Sequence, residues 1–334
     1  MTKNKIYDLR YYNEYQKMRF LKTVSENTTY HQLCSRLLGR VSRLEEMYDK
    51  DLYDFSLPEL ERFFRYLNAS KISTSRMNIQ AINTYIEWAN VQNLRKTNIN
   101  PLTIIMDDDY FRSFIDESKQ TIFSEEEIDD IVRECKNAQD AVIIQLMFEG
   151  ASGTGLDELL NLQRKNIDFN HNRLLLTDSD ESTRILEVSE KCMKLIQEAL
   201  DQTVYQKNNG VFESDRGSAE ISLVENDYVV KSTKLGKLKS FEKADKFLVH
   251  RRLAVLGDPD MLDKPYLSPK NIKYSGMLKI AKDYYLRDGS IEKQCGDEIG
   301  SKFNIRKLNG EYVIMPYKRD FINIDTIRKV YNIE

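Results

Sequence analysis

The residues in this chain best suited to chemistry are cations spaced to grip phosphate. Between positions 231 and 252 stand Lys231, Lys234, Lys237, Lys239, Lys243, Lys246, Arg251 and Arg252, opposed only by Glu242 and Asp245. A second group, Lys270, Asn271 and Lys273, follows at helical spacing. Nearer the N-terminus, Arg36, Arg40 and Arg43 recur every three or four residues. Lys71, Ser73, Thr74, Arg76 and Asn78 crowd a Ser/Thr-rich helix start. Lysine and arginine neutralise phosphate oxygens, and arginine and asparagine also read base edges in a major groove. The net charge is −3, so any nucleic-acid surface must be local. A lone lysine run is usually a solvated helix face; this one is set apart by its concentration in an otherwise acidic chain.

Other chemistries find little support. Cys34, Cys135, Cys192 and Cys295 are far apart and read as reduced thiols, and His31, His171 and His250 are too scattered for a metal site. No cofactor or metal is expected. The N-terminus has no apolar signal segment and no run approaches a membrane span, so a cytoplasmic, nucleoid-associated protein without membrane contact is expected.

The elements that must position these cations are mostly helical. Few prolines and glycines interrupt 334 residues, enough for two domains. Residues 1–24 read as a polar, Tyr-rich helical arm. A long helix from Tyr30 carries a core stripe of Leu33, Leu37, Val41, Leu44 and Tyr48, with Arg36, Arg40 and Arg43 on an adjacent stripe. Ser56 caps a helix with Pro58 in its first turn, and Ile79, Ile82, Ile86 and Ala89 face inward on the next. An acidic connection ends at "FSEEEIDDIV", where Ser124 and Glu127 form a capping box. "AVIIQLMFEGA" is apolar all round, as a central buried helix must be, and "RLLLTDSD" and "TRILEVSE" read as a strand pair. A further helix is expected from near Ser240, with Phe241, Ala244, Leu248 and Val255 inward and Lys239, Lys243, Lys246 and His250 as a basic column outward.

This serial order resembles the tyrosine recombinases, the phage integrase superfamily, over residues 25–334. "SLPELERFFRYL…STSRMNIQAINTYIEWANVQNLRKTNINPL" is similar to their helical core-binding domain. "FSEEEIDDIV" is similar to the first helix of their catalytic domain, and "GTGLDELLNLQRKNIDF" to their Thr-Gly-x-Arg-x-Ser-Glu-Leu stretch. The resemblance implies a mainly α fold with a small β-sheet: a helical, SAM-like core-binding domain at 25–105, a linker at 106–123 and a recombinase-like domain at 124–334. It also implies a clamp of two domains on one duplex.

The family's reaction needs a tyrosine nucleophile, two arginines on the phosphorane charge, and a lysine or histidine for protons. Carried over position by position, the first arginine falls on Gly155. The hairpin lysine falls on Ser182, by a Lys-x-Arg pattern ending at Arg184. The His-x-x-Arg pair falls on Lys270 and Lys273, and the Gly-His on Gly300-Ser301. The tyrosine falls on Tyr312 or Tyr317. Lysine lacks the planar fork with which arginine clamps a phosphate. Gly155 has two readings: a turn too tight for a side chain, or simple loss of the arginine.

No catalytic residue is therefore assigned, and the expected function is DNA binding without cleavage. The resemblance is nearest to a catalytically silent branch, the lysogeny repressors of SPβ-like Bacillus phages. This implies a transcriptional repressor on operator repeats of a phage or prophage genome. Two alternatives stand beside it: a divergent active recombinase, and an accessory module that binds a regulatory protein or peptide, for which the acidic runs Asp107–Asp109 and Glu125–Glu127 speak. The C-terminal "FINIDTIRKVYNIE" is amphipathic enough to swap onto a neighbour, giving self-association on DNA, or to fold back on its own chain.

Overall fold

The computed structural model describes residues 11–26, 28–97, 99–103, 105–116, 121–211, 218–234 and 243–333. The chain divides into two units, Met1–Lys119 and Gln120–Glu334.

The first unit is helical: α1 (Glu14–Leu21), α2 (Thr29–Tyr48), α3 (Leu57–Leu67), α4 (Ile72–Val91) and the short α5 (Asp108–Arg112). The apolar stripe of α2 is buried at Leu33, Leu37 and Val41 and half-buried at Leu44 and Tyr48, against Ile79, Ile82, Ile86 and Ala89 of α4. Ser56 and Glu59 cap each other's backbone N–H at the start of α3, with Pro58 in its first turn. Two expected boundaries shift. The arm is no separate element from residue 11 onward, because Phe20 and Leu21 are buried in the same core. The linker does not begin at 106, because Phe111 and Phe114 are buried there too.

What fastens α1 is a buried charge cluster. Lys17 is fully buried and donates to Glu45 of α2 and, at 3.2 Å, to Asp51. Asp51 also accepts from Tyr85 (3.0 Å) and Asn13 (3.1 Å), and Glu45 from the Leu52 N–H (2.7 Å). One cation against two carboxylates leaves the cluster short of positive charge. Burial, offset in part by Lys17, pushes the Glu45 carboxyl up to about 7.

The second unit is built round α7 (Ala138–Glu149), buried on every side as its composition requires. Packed on it are α6 (Glu125–Glu134), opened by the Ser124–Glu127 capping box, α9 (Glu190–Asp201), α10 (Lys246–Leu256) and α11 (Pro269–Asp288). Between α7 and α9 run the short α8 (Asp157–Leu160) and an antiparallel sheet of β1 (Ile167–Asp168), β2 (Arg173–Thr177) and β3 (Thr183–Glu187), in that order. Leu174, Leu176 and Leu186 face the core. Two small hairpins follow: β4 (Val204–Gln206) with β5 (Glu220–Ser222), and, after α12 (Lys293–Lys302), β6 (Lys307–Leu308) with β7 (Glu311–Tyr312).

The chain closes with α13 (Met315–Asp320) and α14 (Ile324–Tyr331). The C-terminal segment lies on its own unit: Phe321, Ile322 and Ile327 are buried with Leu278 and Ala281 of α11, and Arg328 donates to the Tyr285 hydroxyl at 3.0 Å. No described helix is long and apolar enough to cross a membrane.

The Glu45 environment gives a signed prediction. In the unfolded chain the carboxyl loses its proton near 4.5 and in the folded unit near 7, so the folded state holds the extra proton between these values. Stability is therefore lost as pH rises through that window, by about 3 kcal/mol in full. Trp88, the single tryptophan, stacks on Tyr85 and reports on this unit. Urea unfolding followed by its fluorescence should show the wild type losing stability from pH 4.5 to 7 relative to Glu45→Gln. Parallel curves would contradict the assignment.

Candidate nucleic-acid interface

Several segments of the second unit converge on one carboxylate. Glu158, on α8, is almost fully buried and accepts from the Ser152 N–H at 3.1 Å. Arg184 of β3 meets it fork to fork, Nε to Oε1 at 2.5 Å and Nη2 to Oε2 at 2.8 Å. The same guanidinium donates to the Gly150 carbonyl (2.9 Å) and, through Nη1, to the Lys302 carbonyl at the end of α12 (3.0 Å). Asn304 donates to Glu158 at 3.3 Å. One arginine thus ties the loop after α7, the β2–β3 hairpin and the turn after α12. Its bidentate geometry is the kind a phosphate would otherwise receive.

The loop carrying Gly155 is tied to the hairpin as well. Asp178, in the β2–β3 turn, accepts from the Thr154 N–H at 2.8 Å. The two readings of the glycines separate here. A Cβ on Gly153 (φ +67°) would lie 2.6 Å from the Glu158 side chain, so a side chain is excluded there. A Cβ on Gly155 would meet nothing within 4 Å; only its φ of +62° disfavours a substituent. Ser182 sits exposed in the hairpin turn, its hydroxyl 2.5 Å from Asp180.

Lys273 donates to the Phe303 carbonyl at 3.0 Å, and burial pulls its ammonium below the usual lysine range, against the pull of Glu158. It lines a cavity of about 240 Å³ with Asn304, Ile305, Arg306, Val313, Pro316 and Tyr317. Of the two candidate tyrosines, Tyr317 shares this cavity, whereas the Tyr312 ring packs against Gly300. Burial raises the Tyr317 phenol, with Arg306 opposing. Lys270 is exposed above the Tyr274 ring, and Ser301 is exposed at the end of α12. Asn271 is half-buried at the start of α11 and donates to the Tyr266 carbonyl at 2.8 Å.

The basic stretch is less free than its composition suggests. Lys231 is buried and donates to the Leu200 and Gln202 carbonyls at the end of α9. It is a structural cap, not a DNA contact. Arg252 is likewise buried, between Asp140 (3.6 Å) and the Lys231 carbonyl (3.0 Å). Lys234 and Lys243 are paired with Glu225 (3.3 Å) and Asp157 (2.6 Å). The helix here starts at Lys246, capped by Asp245, rather than near Ser240. Ala244 and Leu248 are buried, while Lys246 and His250 are exposed. Lys237, Lys239 and Phe241 lie outside the described residues.

In the first unit Asn78 is buried and cannot reach a base, which removes it from the reading set. Arg76 is ion-paired with Asp108 and stacked over Phe111. Thr74 is exposed and Lys71 and Ser73 half-buried at the start of α4. Arg36, Arg40 and Arg43 are exposed along α2 and have no acid partner among the described residues. Glu158, Arg184, Asp178, Asn304 and Arg306 belong to the centre and were not singled out from sequence. The Glu-Leu and Lys-x-Arg patterns that contain Glu158 and Arg184 were the available signal.

Residues 122–332 match the MrpR C-terminal catalytic domain, and residues 11–92 the MrpR N-terminal core-binding domain. The chain belongs to the MrpR family. The two matches give a core-binding domain followed by a catalytic-type domain. The SPbeta prophage-derived uncharacterized protein YopR of Bacillus subtilis (strain 168) is 28% identical over 323 residues, which is 96% of each chain. Among solved structures, XerA recombinase is 15% identical over 95% of this chain and 97% of its own, with a TM-score of 0.40. The Tn1549 transposon integrase in complex with circular intermediate DNA is 10% identical over 94% and 97%, with a TM-score of 0.46.

The Glu158–Arg184 pair predicts its own cost. Arg184→Ala leaves a buried carboxylate without its cation and should destabilise by about 3–5 kcal/mol, read by urea unfolding in far-ultraviolet circular dichroism. The double variant with Glu158→Gln should recover part of the loss. A cost below about 1 kcal/mol for Arg184→Ala would contradict the role given to the pair.

Proposed function

We propose that this protein is a sequence-specific double-stranded DNA-binding repressor of a phage or prophage, built on a recombinase scaffold and unable to cut DNA. The observation that carries the reading is where the cations stand. At the centre, Arg184 serves Glu158 and two carbonyls, Lys273 donates to a carbonyl, and Gly155 offers no charge. On α2, three arginines face solvent without an acid partner among the described residues. The first arrangement holds a fold together. The second is what a phosphate backbone attracts.

Cleavage requires charge stabilisation on the phosphorane, where each missing donor costs about 3–4 kcal/mol. It also requires an activated tyrosine nucleophile, and burial pushes the Tyr317 phenol up rather than down. A divergent recombinase is the second reading, and the shared cavity of Tyr317, Lys273 and Arg306 is what favours it. The cavity sets the Lys273 and Arg306 cations beside the Tyr317 hydroxyl-bearing ring. The prophage origin of the YopR relative supports a phage setting. A protein that occupies operator repeats without cutting them blocks lytic promoters by position alone.

Restoring one group should not restore the reaction. Wild type and Gly155→Arg, incubated with supercoiled plasmid and run on denaturing gels, should both give neither nicks nor a covalent protein–DNA species. A tyrosine-linked adduct with either protein would overturn the non-cleaving reading.

A further inference from the structure

The three arginines of α2 are not equivalent. Arg40 alone rests on an aromatic ring, its guanidinium carbon 5.3 Å from the Tyr66 centroid on α3. Tyr66 is 54% exposed, and its ring is nearly parallel to Phe63, at 6.4 Å and 26°. Phe63 is fully buried. A rigid core residue therefore backs an exposed ring, and that ring carries an arginine. The other outward arginines of α3 are already engaged: Arg62 with the Tyr48 hydroxyl, Arg65 with Glu61 and over Phe114. Arg36 and Arg43 have no aromatic ring beneath them among the described residues.

The distinction matters for what each arginine can read. Phosphate tolerates many approach angles, so a mobile guanidinium suffices. Guanine O6 and N7 need a guanidinium held in the plane of the base, with two N–H groups side by side. A ring face beside the guanidinium narrows the orientations it can take and leaves an N–H edge free. We infer that Arg40 is the guanine-reading residue of the first unit, that Tyr66 is the positioning residue that aims it, and that Arg36 and Arg43 hold phosphates. The assignment rests on the DNA-binding reading above. It moves base recognition away from Arg76, which Asp108 occupies.

The test is selection of bound sequences from a randomised duplex pool by the full chain, for wild type, Arg40→Ala, Tyr66→Leu, Tyr66→Phe and Arg36→Ala. Wild type should enrich a motif containing guanine. Arg40→Ala and Tyr66→Leu should lose preference at the same guanine, on the order of ten- to a hundred-fold, and Tyr66→Phe should keep it. Arg36→Ala should keep the motif and bind every duplex more weakly. Thermal unfolding of all four variants should match wild type, since the substituted side chains are exposed. Wild-type preference in Tyr66→Leu, or uniform weakening by Arg40→Ala, would overturn the assignment. Failure of wild type to enrich any motif would remove the sequence-specific reading itself, and this assignment with it.

Discussion

A carboxylate shut away from water must be answered by a cation, and Glu158 imposes that demand at the centre of the second unit. The answer comes from Arg184, twenty-six residues on, across a hairpin turn. Because the guanidinium has donors to spare beyond the carboxylate, it also gathers the Gly150 and Lys302 carbonyls. The loop after α7, the β2–β3 hairpin and the end of α12 are thereby fixed to one point. The cavity beside it, with Lys273, Arg306 and Tyr317, takes its shape from the same turn at 302–306.

In that architecture the positive groups at the centre serve the fold itself. The centre still collects positive groups, because the fold needs them for an internal acid and for chain ends. Gly155 and Ser182 themselves carry no charge. Three arginines without an acid partner among the described residues stand on the exposed face of α2 in the first unit. A buried pair is also the more rigid choice, since removing either member strands the other.

Sequence patterns revealed the helices well and the charges poorly. Leu33, Leu37 and Val41 on α2, the all-apolar α7 and the Ser124–Glu127 box are local signals, complete within a few residues, and the structure keeps each of them. Lys17, Lys231 and Arg252 look solvent-facing by residue type, yet they are buried because their partners stand far away in sequence: Glu45 and Asp51, the end of α9, and Asp140. Asn78 sits in a polar stretch but on the inner face of α4. The buried parts of the arm and the linker are hard to see in sequence for the opposite reason. Phe20, Leu21, Phe111 and Phe114 are isolated apolar residues in polar surroundings, too few to show a period. The Arg40–Tyr66 platform was hidden because it joins two helices through side chains alone.

The central claim is that this chain recognises particular DNA sequences without acting on them. The most direct measurement is capture of sheared genomic DNA, host and prophage together, by the purified protein, followed by sequencing of the bound fragments. The account predicts a short motif repeated near several promoters. Enrichment of one attachment-like site would point to recombination instead, and no enrichment over bulk DNA would show that the arginines of α2 serve some other partner.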